Sequence, residues 1–135
     1  MAKKILLVDD DQNTLDLLEV FLYKDYEVIT ALNGFEALTR AEKERPDLIM
    51  TDITMPEMDG IRFFNRIGKS KYGDVPIIAV TSFGEDSTRN SLLNIGFFGV
   101  VCKPFEKKDI AEIVAKAINR DAGGKRAGEG KGERG

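Results

Sequence analysis

Asp47-Leu48-Ile49-Met50-Thr51-Asp52-Ile53-Thr54-Met55-Pro56-Glu57-Met58-Asp59-Gly60 is the stretch whose reading decides the fold. Leu48-Ile49-Met50, followed by β-branched Thr51, form an apolar run suited to a buried strand. It ends in a carboxylate, Asp52, and then breaks into turn-forming Pro56 and the Asp59-Gly60 pair. An acid therefore stands at the C-terminal end of a strand. In an open α/β sheet that is the ligand-bearing edge, because the loops leaving the strands form a crevice there.

The same pattern recurs on either side. Lys4-Ile5-Leu6-Leu7-Val8 is a short continuous apolar run that stops at Asp9-Asp10-Asp11, as a central parallel strand covered on both faces would. Leu15, Leu18 and Leu22 then recur at helical spacing, with Leu17 and Phe21 in a neighbouring stripe. Glu27 to Ala31 reads as a second strand. Asn33-Gly34 turns the chain into a helix carrying Phe35, Ala37, Leu38 and Ala41, which Pro46 stops.

Beyond Gly60, Ile61, Phe63, Phe64 and Ile67 predict a third helix, and residues 68–74 a loop. Pro76 to Val80 predicts a strand ending at Thr81-Ser82. A helix over Asp86 to Ile95 is stopped by Gly96, and Gly99 to Cys102 forms a strand ending at Lys103-Pro104. Ile110, Ile113, Val114, Ala117 and Ile118 mark the last helix, from about Lys107. Five strands alternating with five helices imply a parallel sheet with right-handed crossovers, an α/β three-layer sandwich.

A chain of 135 residues has room for one domain with a real core. The expected division is a domain over residues 1–120 and a flexible tail or linker over 121–135, where six of fifteen residues are glycine and seven are charged. A formal charge of −3 and the absence of a basic face give no reason to expect nucleic-acid binding. No apolar run approaches the roughly 20 residues that cross a bilayer, so no membrane partner is expected. With one cysteine and no charged-then-apolar leading segment, the expected compartment is the cytoplasm. No histidine is present, so a site must work with carboxylates, hydroxyls and lysine.

Those groups converge on one sheet edge: Asp9 and Asp10, Asp52, Thr81 and Lys103 all follow strand ends. Gathered carboxylates repel one another and raise one another's pKa unless a cation lies among them, and their hard oxygens suit Mg²⁺. A neutralised Asp52 is a usable nucleophile toward phosphorus, Lys103 a counter-charge for a phosphoryl oxygen, and the Thr81 hydroxyl a donor to another. A strong base for water is missing, so the expected product is a persisting aspartyl phosphate. Asp11, Glu57 and Asp59 read as turn and helix-cap residues. Phe97 and Phe98 read as core, and Cys102 as a small buried apolar residue.

Val8-Asp9-Asp10, Asp52 with Met55-Pro56-Glu57-Met58-Asp59-Gly60, Val80-Thr81-Ser82 and Lys103-Pro104-Phe105 together resemble the CheY-like receiver domain of two-component response regulators, from about Lys3 to Ile118. The resemblance implies a doubly wound, flavodoxin-like sheet of order 2-1-3-4-5 flanked by five helices. It implies Asp52 as phosphoacceptor, with Thr81 and Lys103 assisting. Asp10, Asp52 and the Thr54 carbonyl are implied as ligands of Mg²⁺ (or Mn²⁺), with Asp9 acting through water, and the Lys103-Pro104 bond is implied to be cis. The implied donor is a sensor histidine kinase or a histidine phosphotransfer protein. The implied output is a downstream protein or an attached output domain, met by the fourth helix, fifth strand and last helix of a monomer or a phosphorylation-dependent dimer.

Such a domain is not a turnover enzyme. It catalyses only its own phosphorylation and slow dephosphorylation. Two rivals are weighed against it. A Mg²⁺-dependent aspartyl-phosphate hydrolase usually carries a second Asp where Thr54 stands, and a flavodoxin-like cofactor binder would not place three aspartates after its first strand. The family's switch pairs the threonine, here Thr81, with an aromatic residue whose position is held by Val100. Two residues before it, Phe98 is expected on the same strand face as a substitute ring.

Overall fold

The computed structural model describes residues 2–68 and 74–122. The tail beyond Ala122 and most of the loop read from residues 68–74 lie outside the described residues. Ten elements alternate: β1 (Lys4–Val8), α1 (Gln12–Leu22), β2 (Glu27–Ala31), α2 (Gly34–Glu44), β3 (Leu48–Asp52), α3 (Gly60–Gly68), β4 (Ile77–Thr81), α4 (Asp86–Ile95), β5 (Gly99–Cys102) and α5 (Lys107–Ala122). All strand pairs are parallel, and the order is β2-β1-β3-β4-β5, as expected. The fourth strand starts at Ile77 rather than Pro76. Proline has no N–H to give to a ladder, although the Pro76 carbonyl still accepts from Ile49 N at 3.0 Å.

Side chains alternate across the sheet and divide the core in two. Leu6, Val8, Ile49, Ala79 and Val100 face α2, α3 and α4, packing with Ala37, Phe63 and Leu92. Ile5, Leu7, Met50, Ile78 and Val101 face α1 and α5, packing with Leu15, Leu18, Ile110 and Val114. Both faces of β3 and β4 are fully covered, which is why they read as unbroken apolar runs. Truncating a buried anchor such as Phe63 to alanine costs about 3–5 kcal/mol.

Several side chains differ from the sequence reading. Phe98 packs with the α1/α5 core while Val100 belongs to the α2–α4 core, so the two lie on opposite faces and Phe98 does not stand in for the ring. The reason is that β5 begins at Gly99, leaving Phe98 outside the strand where two-residue alternation holds. Leu17 and Phe35 are exposed, because the stripes that meet the sheet are the Leu15-Leu18-Leu22 row of α1 and the Gly34-Ala37-Ala41 row of α2.

The helix ends follow local chemistry. Asp11 caps α1, accepting from Asn13 N, and Asn33 caps α2, accepting from Glu36 N. Gly96 closes α4 at φ 129, where glycine is unstrained. Since β1 connects outward to β2 and the chain returns to β3 on its other side, the topology reverses between β1 and β3. The crevice opens there, between the ends that carry Asp9 and Asp52.

Candidate functional site

The three consecutive aspartates after β1 have three different environments. Asp9 is buried, and its Oδ1 accepts from Asp11 N at 2.9 Å. Asp10 is exposed, and Asp11 is held by its capping role, also accepting from the Thr14 hydroxyl at 3.2 Å. Asp52, at the end of β3, is 6% exposed and receives a backbone hydrogen bond from Thr54. One carboxylate oxygen from each of Asp9, Asp10 and Asp52 falls within 4.8 Å of the others.

Lys103, following β5, faces this cluster. Its amide N–H donates to the Thr81 carbonyl at 2.8 Å, which fixes its backbone to the end of β4. Its Nζ is 3.2 Å from Asp9 Oδ2 and 3.6 Å from Asp52 Oδ1, a hydrogen-bonded pair with the first and an ion pair with the second. The Lys103-Pro104 bond is cis. Thr81 is buried, and its Oγ1 accepts from Phe83 N at 3.0 Å.

The electrostatics follow from this crowding. Burial, then the repulsion of Asp9, raises the Asp52 carboxyl to about 6, with Lys103 pulling the other way. Burial also raises Asp9, offset in part by the Asp11 N–H and by Lys103. For Lys103, burial lowers the amine, but Asp9 and Asp52 outweigh it and hold it above its ordinary value. Among the described residues, one cation thus faces three acids, and the site has charge left to neutralise.

The loop from Ile53 to Asp59 is built to hold Asp52 still. Met55 and Met58 bury their side chains in the α2–α4 core, Gly60 N donates to the Ile53 carbonyl at 2.9 Å, and Asp59 Oδ1 caps α3 through Arg62 N at 2.9 Å. Glu57 turns through the left-handed region at φ 68. Gly60 passes so close that a Cβ there would lie 2.5 Å from the Asp52 carbonyl oxygen. Sequence reasoning missed that contact, although the Asp59-Gly60 pair signalled a tight approach.

The structure therefore brings together Asp9, Asp10, Asp52 and Lys103, with Thr81 tied to Lys103 through its carbonyl. Val100 lies buried on the adjoining strand with no ring to move. Thr54 is exposed beside Asp52 and already contributes its N–H. Cys102 is half-buried rather than core, its Sγ 3.5 Å from the Lys103 carbonyl, because β5 is an edge strand.

Residues 5–115 match the response regulator receiver domain family. The alkaline phosphatase synthesis transcriptional regulatory protein PhoP of Bacillus subtilis is 36% identical over 121 residues, covering 89% of this chain and 50% of that protein. This chain thus spans about half the length of the transcriptional regulators it matches. Against the chemotaxis protein CheY of Halobacterium salinarum it is 34% identical over 119 residues, 87% of this chain and 98% of that one. Among solved structures, the receiver domain of a Pseudomonas aeruginosa sensor histidine kinase, determined with magnesium in its active-site cleft, superposes with a TM-score of 0.80 at 30% identity, covering 88% of this chain and 99% of that one. The chain belongs to the receiver domains of two-component response regulators.

Proposed function

We propose that Asp52 is the phosphoacceptor of this domain and that its modification switches a protein-binding surface. The observation that carries the proposal is the Lys103 ammonium lying 3.6 Å from Asp52 within a cluster of three carboxylates. An Asp52 oxygen attacks phosphorus on a partner's phosphohistidine. The O–P bond forms as the N–P bond breaks, and the electron pair leaves with the imidazole. Lys103 neutralises the oxygens of the transferring group, and the Thr81 hydroxyl donates to one of them. A carboxyl titrating at about 6 is ionised at neutral pH, as a nucleophile must be.

The donor set fits a hard divalent cation: oxygen ligands only, closely spaced, with uncompensated charge. Asp9, Asp10 and Asp52 with the Thr54 carbonyl are the residues that would hold Mg²⁺. The ion, when bound, supplies charge neutralisation for the carboxylates and the phosphoryl group. Thr54 offers no second carboxylate as general acid, which argues against a dedicated hydrolase and for a signalling protein that is not a turnover enzyme.

The expected donor is a sensor histidine kinase or a histidine phosphotransfer protein. Output is assigned to the face formed by α4, β5 and α5, where a groove of about 640 Å³ is bordered by Arg89, Phe98, Val100, Cys102, Ile113 and Lys116. The occupant is a downstream protein met by a monomer or a phosphorylation-dependent dimer in the cytoplasm. Half-length coverage of the transcriptional regulators favours a second form of the same reading, a receiver belonging to a longer regulator with its own output domain. No helix among the described residues is long and apolar enough to cross a membrane.

The test is intact mass after incubation with acetyl phosphate, with and without Mg²⁺, on the wild type and Asp52→Asn. A gain of one phosphoryl group that requires both Mg²⁺ and Asp52 is the expected result. No gain under conditions where Mg²⁺ binds would overturn the proposal.

A further inference from the structure

We infer that Thr51 is a positioning residue for Asp52: its hydroxyl holds the Asp52 carbonyl and so fixes the turn that sets the Asp52 carboxylate against Thr54. The inference rests on the reading of Asp52 as phosphoacceptor and deepens it.

The first observation is a hydroxyl in apolar surroundings. Thr51 is fully buried, and the residues opposite it in register, Val8 on β1 and Ala79 on β4, belong to the α2–α4 core. A hydroxyl buried there is costly unless it is hydrogen-bonded, and valine has nearly the same shape without that cost. Thr51 Oγ1 donates to the Asp52 carbonyl at 3.0 Å. The hydroxyl thus finds its partner in the backbone of the acceptor.

The second is where the sheet releases the chain. The last pair between β3 and β1 is Thr51 with Val8, whereas β3 and β4 pair one residue further, Asp52 with Val80. Asp52 is therefore held by the ladder on one side only. The Thr51 hydroxyl adds a tie from within the strand, on a β-branched side chain whose χ1 is stiff.

The third is what the carbonyl controls. The torsion that aims it also aims the chain into Ile53 and Thr54. Ile53 N donates to the Val80 carbonyl at 3.0 Å, and the Thr54 N–H bonds to the Asp52 carboxylate. Freeing the carbonyl lets this peptide rock. The Thr54 N–H, and the Thr54 carbonyl assigned to Mg²⁺, then lose their fixed place relative to the carboxylate. Removing a group that orients a metal's ligands typically costs about 10–100-fold in affinity or activity.

The test compares the full chain as wild type, Thr51→Val, Thr51→Ser and Thr51→Ala. Phosphorylation by acetyl phosphate at saturating Mg²⁺ is followed by intact mass, Mg²⁺ affinity by titration calorimetry, and stability by thermal unfolding. Thr51→Val and Thr51→Ala lack the hydroxyl, and each is expected to be phosphorylated about tenfold more slowly than wild type or to bind Mg²⁺ about tenfold more weakly. Thr51→Ser keeps the hydroxyl and is expected to stay close to wild type in both. It loses a buried methyl group, however, and should unfold at a lower temperature than Thr51→Val. Function and stability then rank serine and valine in opposite orders, which loss of packing alone does not do. Should Thr51→Val not fold, serine against alanine makes the same comparison. Hydroxyl-free variants that match Thr51→Ser in both rate and Mg²⁺ affinity overturn the inference, as does a loss confined to Thr51→Val, which would trace to its added methyl group. In either case a phosphorylated wild type leaves the reading of Asp52 intact. A wild type that binds Mg²⁺ and is not phosphorylated overturns both.

Discussion

Lys103 Nζ lies closer to Asp9 Oδ2, at 3.2 Å, than to Asp52 Oδ1, at 3.6 Å. The cation proposed to meet a phosphoryl group on Asp52 is therefore also the counter-ion of buried Asp9. Removing it leaves buried Asp9 without its ion-pair partner, while a quarter of the lysine side chain is exposed and its contribution is screened accordingly. Lys103→Met is expected to lower stability by about 1–2 kcal/mol at neutral pH without divalent ions. Asp9→Asn in the same background should restore most of that loss. Urea unfolding of the two single variants and the double variant checks this, and strictly additive effects would show that the pair carries no coupling.

The raised Asp52 pKa sets the direction of a pH effect. Its folded value of about 6 stands above the ordinary 3.8, so the folded state holds a proton that the unfolded state has released, and stability falls as pH rises between about 4 and 6. Asp52→Asn removes that cost. The variant should be more stable than wild type at pH 7 to 8 by up to about 3 kcal/mol, and the difference should vanish below about pH 4. Asp9 is raised in the same direction, so a shallower slope remains in the variant. Mg²⁺ at about 100 times its dissociation constant should restore about 2.7 kcal/mol to the wild type and little to Asp52→Asn. Thermal unfolding across pH, with and without Mg²⁺, reads all of these.

What the sequence made legible is what depends on neighbours in the chain. Leu48 to Asp52 announced a strand buried on both faces because Leu48-Ile49-Met50 is an unbroken apolar run that β-branched Thr51 carries to the terminal acid, and the strand-end acids, Thr81 and Lys103 could be placed on one edge from topology alone. Contacts between distant segments were not legible. Whether Lys103 leans to Asp9 or Asp52 depends on side chains converging from three strand ends, and the Asp9 pair joins residues 94 positions apart. The face taken by Phe98 turned on where β5 begins, a matter of one residue. The hydrogen bond from Phe83 N to Thr81 Oγ1 depends on a loop path that no periodicity encodes.

The start of α2 carries a reciprocal cap: Asn33 Oδ1 accepts from Glu36 N and Glu36 Oε1 accepts from Leu32 N, each at 2.8 Å. Asn33→Ala is expected to cost about 1 kcal/mol. Glu36→Gln keeps an oxygen acceptor for the Leu32 N–H and should cost a few tenths, whereas Glu36→Ala should cost more. Equal losses from Gln and Ala at position 36, measured by chemical denaturation, would show that charge at the helix N-terminus matters there rather than the hydrogen bond.

Gly60 couples the fold to the Asp52 carboxylate. A Cβ at this position would stand 2.5 Å from the Asp52 carbonyl oxygen and 2.9 Å from Ile53 Cα, both backbone atoms that cannot rotate aside. At Gly68, the other end of the same helix, a Cβ would meet nothing within 4 Å. Gly60→Ala is therefore expected to destabilise the domain by about 1–3 kcal/mol, and Gly68→Ala to change stability by no more than about 1 kcal/mol, in the favourable direction. The strain at position 60 falls on the residue proposed to present its carboxylate to phosphorus, and a misplacement on the order of 1 Å can lower a rate about 100-fold. Phosphorylation of Gly60→Ala by acetyl phosphate, followed by intact mass at a temperature where circular dichroism shows the variant folded, should be at least tenfold slower than wild type. A folded Gly60→Ala that is phosphorylated at the wild-type rate would mean that the loop relaxes around the added methyl group without moving Asp52.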